Sequence, residues 1–397
     1  MVSFELTEEE RMVQKVVHDF AAKEIRPAAP HYDETEEFPY DLVKRAAELG
    51  ITGGGLSGGP DSYLIPAIIA EELCWGCAGI ALAIMGSGLA AGAIAALATP
   101  EQRAAWLPKL TATPTEARLG AMCLTEPEAG SDVASIQTTA VRDGDEWVIN
   151  GRKIFITNGG IADVHVVFAT EDRSKGWGGL AGFVVEKGTP GLSQGQKFKK
   201  LGIRASHTAE VIFDNVRIPL DQKLGYRPGG DGAGGASQQG PGQGALGALR
   251  MLEGSRPIIG AQAVGVARAA YEYAAEYATQ RVQFGKPIIA NQGVAFKLAD
   301  MATSIDAARL LVWRALWMNR TGVPFLTGEG SMAKYFAADV AMNVTVDAVQ
   351  ILGGYGYIRE TPVEKWMRDA KIFQIFEGTN EIQRLVISRA IGARFKQ

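Results

Sequence analysis

The chain is poor in the residues that announce metal or thiol chemistry. It has three cysteines (Cys74, Cys77, Cys123) and four histidines (His18, His31, His165, His207), scattered with no ligand spacing. No protein-bound metal is expected from such a set. A basic cluster is missing too: 40 Lys and Arg stand against 44 Asp and Glu, leaving a net charge of −4. Without a run of cations to neutralise phosphates, a nucleic-acid partner is excluded. Met1 to Arg11 is rich in Glu and has neither the basic start and apolar run of a secretory signal nor the Arg-rich, acid-poor character of a transit peptide. Gly, Pro or charge interrupts each apolar stretch, so no membrane span is expected. These absences predict a cytoplasmic protein, most simply a bacterial one. What is present is ordinary for a globular chain, 47% apolar and 21% charged over 397 residues, enough for two or three packed units.

Two motifs invite a reading that their surroundings refuse. Cys74-Trp75-Gly76-Cys77 has redox spacing, but it follows Ile68 to Leu73, which reads as helix and not as the strand end such a motif needs. Buried structural cysteines are the better reading. Gly242-Gln243-Gly244-Ala245-Leu246-Gly247 matches the dinucleotide pattern G-x-G-x-x-G and precedes a helix. That pattern requires a preceding strand and an acidic residue about twenty positions on. Here flexible Gly/Gln sequence precedes it, and a Gly-rich loop is the default.

Along the chain the order is helical, then β-rich, then helical. Thr7-Glu8-Glu9-Glu10 is a capping box, and Val13, Val16, Val17, Phe20 and Ala21 then repeat at helical spacing until Pro27, which is expected to end the run. Asp41 to Leu49 is a second helix. Tyr63 to Leu97 holds a third and a fourth, and Thr99-Pro100-Glu101 opens the next. From about Leu119 to Pro219 short β-rich runs take over. Trp147-Val148-Ile149 and Lys153 to Thr157 flank Asn150-Gly151, a type I′ hairpin signal. Val164 to Ala169, Ala181 to Glu186 and Glu210 to Phe213 add strands. Leu224 to Gly247, dense in Gly, Gln and Pro, reads as a mobile loop. Helical patterns follow over Ala248 to Gln280, Gln292 to Arg320, Gly330 to Leu352, Val363 to Phe373 and Asn380 to Phe395. The fold class is α+β multidomain: an N-terminal helical domain (1–120), a central β-barrel-like domain (121–235) and a C-terminal four-helix bundle (236–397).

Five segments in register carry a family resemblance. Cys123 to Ser135, which contains Thr125-Glu126-Pro127-Glu128-Ala129-Gly130-Ser131-Asp132, is similar to the first acyl-CoA dehydrogenase signature. Gln350 to Tyr357, continuing through Glu360 and Lys365 to Asp369, is similar to the second. Phe155 to Gly159, Arg281 to Lys286 and Ile375-Phe376-Glu377-Gly378-Thr379-Asn380 stand in the family's order, and the resemblance covers nearly the whole chain. It implies FAD as cofactor, an acyl-CoA thioester as substrate, and desaturation to the trans-2-enoyl-CoA. An electron-transfer flavoprotein is the implied acceptor and a homotetramer, a dimer of dimers, the implied assembly.

That reaction needs a base for the α-proton while the β-carbon loses hydride to flavin N5. A carboxylate suits if burial beside an apolar ligand raises its pKa. Glu377 lies between the apolar Ile372, Phe373, Ile375 and Phe376 and the turn-forming Gly378. Local sequence leaves it equally a helix-capping Glu ahead of Asn380; the resemblance assigns it as the base. Branches that carry the base on the long helix have it where Ser255 stands here, which cannot serve. The resemblance further places FAD on Met122, Leu124, Thr125, Gly130, Ser131, Phe155 and Thr157. Many members have Trp at the Phe155 position, and Glu128 replaces a more usual Gly. Arg281, Phe284, Gln292, Gln350, Gly353 and Gly354 correspond to positions reaching the FAD of a neighbouring subunit, with a helix C-cap as the compatible plain reading of the glycines. Thr379 and Asn380 follow the base where FAD is touched again, although Glu381 stands where Gln is usual. Ser131, Glu253, Arg256 and Gly378 are assigned to substrate, with Arg256 as an ion-pairing residue near the CoA.

Glutaryl-type members carry an Arg near Ala78 to Ala83. None stands here, so a dicarboxyl substrate is disfavoured. The small residues of Met85-Gly86-Ser87-Gly88-Leu89 could leave room for a medium, branched or cyclic acyl group. The competing readings are a flavin oxidase or monooxygenase on the same fold, an acyl-carrier-protein-linked dehydrogenase, and a non-enzymatic assembly subunit. The last is opposed by the intact base and flavin motifs.

Overall fold

The architecture comes from a computed structural model and is described for residues 5–52, 62–227 and 243–395, with side chains of the long C-terminal helix from Glu253 onward. Helix α1 (Glu8–Phe20) begins on the expected box: Thr7 Oγ1 accepts from Glu10 N at 3.2 Å and Glu10 Oε2 from Thr7 N at 2.9 Å. Pro27 does not end the run. A π turn (Ala21–Ile25) leads into α2 (Arg26–Thr35), with Pro27 in its first turn, where a missing N–H leaves no helical bond unmade. Helices α3 (Tyr40–Glu48), α4 (Ile65–Met85), α5 (Gly88–Leu97) and α6 (Pro100–Trp106) complete the N-terminal unit, α6 on a second capping box from Thr99.

Helix α4 corrects the expectation that no apolar stretch is long enough to span a membrane. At 21 residues it is, and so is the segment Glu329–Gly356. Its setting explains the length, because α4 lies almost wholly inside the protein as a core helix. Its two acids, Glu71 and Glu72, are buried and paired. Arg268 bonds both, Arg309 donates to Glu71 at 2.9 Å and His18 sits 2.8 Å from Glu72. Buried charge survives where it is paired, and these pairs tie the first helical unit to the last. Cys74 and Cys77 are buried, free thiols on this helix, which breaks locally at Cys77 (φ −166°, ψ 119°).

The middle of the chain is a curled seven-stranded sheet: β1 (Gly120–Cys123), β2 (Thr139–Asp143), β3 (Glu146–Thr157), β4 (Val164–Thr170), β5 (Leu180–Glu186), β6 (Leu192–Lys197) and β7 (Thr208–Pro219). Its order is β1-β4-β2-β3-β7-β6, with β5 also on β4, and β1 runs parallel to β4. Asn150-Gly151 is not a hairpin turn. Both residues lie inside β3, at a register shift between Ile149 and Gly151 against β7. A Cβ at Gly151 would fall 2.3 Å from Thr138 Oγ1, so glycine serves close strand approach there. The β2–β3 connection turns instead around Gly144 (φ 62°).

The last unit has α7 (Gln243–Gln280), a small hairpin of β8 (Val282–Gln283) and β9 (Lys286–Pro287), α8 (Gln292–Arg320), α9 (Glu329–Leu352), α10 (Val363–Ala370) and α11 (Asn380–Arg394). Helix α7 starts earlier than its apolar pattern suggested. Most of the expected loop, and Gly242 of the glycine motif, lies outside the described residues.

Candidate active site

The site centres on a turn between α10 and α11. After α10 and a short helical turn (Lys371–Gln374), the Ile375 and Phe376 amides both donate to Ile372 O, and the chain then enters two left-handed residues, Glu377 (φ 51°) and Gly378 (φ 92°). Left-handed backbone is disfavoured for a side-chain-bearing residue by about 1–2 kcal/mol and persists where surroundings over-determine it. Here Gln383 Nε2 donates to both Glu377 O (3.1 Å) and Gly378 O (2.9 Å), and Lys334 Nζ donates to Gly378 O (2.8 Å). The φ of 92° at position 378 favours glycine, and a Cβ there would also displace the Gln383 amide, 2.6 Å away, that holds the turn. Helix α11 then starts on Thr379, whose Oγ1 accepts from Ile382 N; Thr379, not Glu377, is the cap.

The Glu377 carboxyl is reached by Ser255 Oγ on α7, which donates to Oε2 at 2.6 Å. Burial pushes this carboxyl above the ordinary carboxylate range, against the Ser255 hydrogen bond and the positive charges of Lys334 and Arg256. A carboxylate poised in this way binds a proton more readily than a free one, which is the property a general base requires. Arg256 is buried; it donates to Ser331 Oγ at 2.9 Å and stands 3.5 Å from Glu253. Its guanidinium thus points inward beneath the base. Asn380 is likewise turned inward, its amide donating to Asp339 Oδ1 and Tyr335 O while Oδ1 accepts from Lys334.

A second cluster organises the loop after β1. Glu126, buried, accepts from Gln137 N (2.5 Å), Thr138 N (2.9 Å) and Lys153 Nζ (2.8 Å). Lys153, wholly buried, also donates to Leu124 O (3.0 Å), and Ile154 N to Thr125 O (2.9 Å). Leu124 and Thr125 are strapped to β3 by these bonds, with Met122 partly buried beside them and Gly130 and Ser131 exposed. Phe155 is 61% exposed, left-handed (φ 57°), with its ring 5.0 Å from that of Phe198; Thr157 lies two residues on.

Arg281, Phe284, Gln292, Gln350, Gly353 and Gly354 are all exposed. Arg281 sits above the Tyr355 ring (5.6 Å), and a cavity of about 410 Å³ there is lined by Tyr277, Arg281, Gln283, Ile288, Ile351, Leu352, Gly354 and Tyr355. Phe284, at the tip of the β8–β9 hairpin, is 95% exposed. Gln292, Gln350 and Gly354 are exposed, and Gly353 caps α9 (φ 62°) as the plain reading expected.

Three comparisons with known proteins bear on this geometry. The N-terminal, middle and C-terminal domains of acyl-CoA dehydrogenase match residues 7–113, 121–216 and 242–392 in turn. An acyl-CoA dehydrogenase of Bacillus subtilis is 44% identical over 97% of this chain and 98% of its own. A short-chain-specific acyl-CoA dehydrogenase of Clostridium acetobutylicum is 42% identical over 98% and 100%. The chain belongs to the acyl-CoA dehydrogenase family. The solved structure of butyryl-CoA dehydrogenase from Megasphaera elsdenii superposes with a TM-score of 0.89 at 41% identity, covering 98% of this chain and 100% of that one.

Within this acyl-CoA dehydrogenase family member, the structure brings Glu377, Gly378, Ser255 and Arg256 together, and sets Met122 to Thr157 on the β-domain. Sequence reading missed Lys334, Gln383 and the Lys153–Glu126 pair. For Lys334 a signal was present: Gly330, Ala337, Ala338 and Ala341 share its face, and a lysine on a face of small residues is on the packed side of a helix. In the Met85–Leu89 segment, Gly86 is held against Thr157 (3.0 Å to its Cγ2 from a Cβ) and Ser87 Oγ accepts from Gly120 N, so these small residues serve domain packing. Met85 Sδ meets Gln262 Nε2 at 3.9 Å, two helical turns beyond Ser255. Ala78 to Ala83 is buried core.

Proposed function

We propose that this chain is an FAD-dependent dehydrogenase of short acyl-CoA thioesters, with Glu377 as the base for the α-proton. The observation that carries the reading is the Glu377 carboxyl: raised by burial, bonded to Ser255 and set on an over-determined left-handed turn. The thioester lies against this turn, and Glu377 receives the α-proton on a carboxylate oxygen. The Gln383 and Lys334 bonds fix the Glu377 and Gly378 dihedrals, and with them the backbone N–H to which the family resemblance assigns the developing enolate oxygen. Bound FAD would supply the acceptor for the β-hydride.

The residues present fit that cofactor. The strapped Leu124-Thr125 segment, Thr157 and the exposed ring of Phe155 offer polar and aromatic contacts to a flavin on the β-domain. Arg281, a fixed charged fork beside a cavity and a glycine-capped helix end, suits a pyrophosphate. Arg281, Phe284 and Gln350 face outward, which agrees with the family resemblance that assigns them to the FAD site of a neighbouring copy; by that resemblance the working assembly is an oligomer, a homotetramer. An electron-transfer flavoprotein is the acceptor by the same resemblance. The short acyl range is supported by relatives named short-chain specific.

The test is anaerobic bleaching of the flavin band by acyl-CoA thioesters of graded length. Bleaching by butyryl-CoA but not by long chains is expected. Bleaching confined to long or dicarboxyl thioesters would refute the substrate range, and retained bleaching in Glu377→Gln the base.

A further inference from the structure

We propose that Lys334 is a positioning residue for the reaction: from behind the turn it holds the left-handed Glu377-Gly378 pair and supplies the positive charge that keeps the base ionised between turnovers. The proposal rests on Glu377 being the base. Lys334 is 0% exposed on α9. A buried ammonium is costly without a counter-charge, yet its hydrogen bonds go to neutral atoms, Gly378 O (2.8 Å) and Asn380 Oδ1 (3.1 Å).

The acids around it are Glu377, Asp339 and Glu381, and Arg256 opposes it with like charge. Asp339 is spent on Gln374, Asn380 and Arg384, and Glu381 is exposed on the first turn of α11. Glu377 therefore remains as the partly buried counter-charge. Burial draws the Lys334 ammonium down to about 8, and the Glu377 charge acts against that loss. The coupling is reciprocal: the Lys334 charge pulls Glu377 down against its own burial. Glu377 becomes neutral on taking the α-proton, which leaves Lys334 without this counter-charge. The enclosed positive charge then favours release of that proton and return to the carboxylate.

The test uses FAD-loaded Lys334→Met and Lys334→Gln with butyryl-CoA and a dye acceptor, read as pH profiles. Lys334→Met is expected to lose at least about tenfold in kcat with little change in KM. The acid limb of its kcat/KM profile is expected to move to higher pH by about one unit, because the base has lost the charge that lowered it. Lys334→Gln keeps a donor to the turn but no charge, so it should show the same shift of the limb with a smaller loss of kcat. Acid limbs that superimpose on the wild type in both variants, or an effect confined to KM, would overturn the proposal. If Lys334→Met does not fold, the limb of Lys334→Gln decides alone. Glu377→Gln run in parallel separates the two readings. Turnover surviving there removes the base itself, whereas a dead Glu377→Gln beside Lys334 variants with wild-type limbs removes only the role of Lys334.

Discussion

Two buried lysines organise the two halves of this site, and they do so differently. Lys153, on β3, has its own carboxylate: Glu126 lies 2.8 Å away and is itself capped by two backbone amides. Burial alone would raise the Glu126 carboxyl, but Lys153 and the donors at Thr138 and Gln137 outweigh it and hold the group below its usual range. Lys334, on α9, bonds to neutral oxygens, and Glu377 is the acid left to balance it. The first arrangement is a lock, with charge satisfied and geometry fixed. The second leaves one carboxyl raised by burial, the property the proposed base requires. Burial raises a carboxyl where its pairing is left incomplete, as at Glu377, and not where donors and a cation complete it, as at Glu126.

Removing the raised carboxyl should show the largest effect. Glu377→Gln keeps the shape of the turn and the flavin-side strap, so FAD content and oligomeric state should match the wild type. Thioester-dependent bleaching should fall by roughly 10²–10⁴-fold or more, the range in which a general acid–base group operates. Stopped-flow absorbance at the flavin band measures it.

Breaking the lock should cost stability in place of chemistry. Lys153→Met leaves Glu126 buried without its cation, a loss of about 3–5 kcal/mol, read by thermal unfolding and accompanied by weaker FAD retention. The sign with pH is fixed by the lowered Glu126 value: its contribution is present above the unfolded carboxylate pKa and is lost as pH falls through the folded one. Wild-type stability should therefore fall on the acid side, and Lys153→Met should lack that component. Equal acid sensitivity in both would show that the pair is not what holds the strap. On the same strand, Gly151→Val would force a Cβ into Thr138 and should cost about 1–3 kcal/mol.

The two halves also differ in how far they could be read from sequence. The turn was legible because Gly378 is local, whereas Glu377 itself was singled out by the order of motifs, its neighbours leaving it equally a helix cap. The helix starts at Thr7 and Thr99 were legible for the same reason, since capping boxes are written in three or four residues. What failed needed the third dimension. Asn150-Gly151 carries a turn signature, yet β3 runs through it because β7 pairs on both sides and Thr138 demands a glycine. Pro27 reads as a stop, but a π turn upstream absorbs it. Lys334 and Gln383 meet the turn from 44 residues before Gly378 and 5 after it, and no local pattern links them.

The smallest effect separates the local hydrogen bond at Glu377 from the distant charge. Ser255 donates to Oε2 at 2.6 Å and lowers the carboxyl, as Lys334 does through space. Ser255→Ala removes about 0.5–1.5 kcal/mol of hydrogen bonding. By the relation of 1.36 kcal/mol to a pKa unit, the acid limb of kcat/KM should rise by at most about one unit. The turn is held by Gln383 and Lys334 rather than by Ser255, so its geometry should survive and kcat at alkaline pH should stay close to wild type. A limb that does not move would mean the carboxyl is governed by burial and charge alone. A large loss of kcat at every pH would instead show that Ser255 orients the carboxyl as well as lowering it.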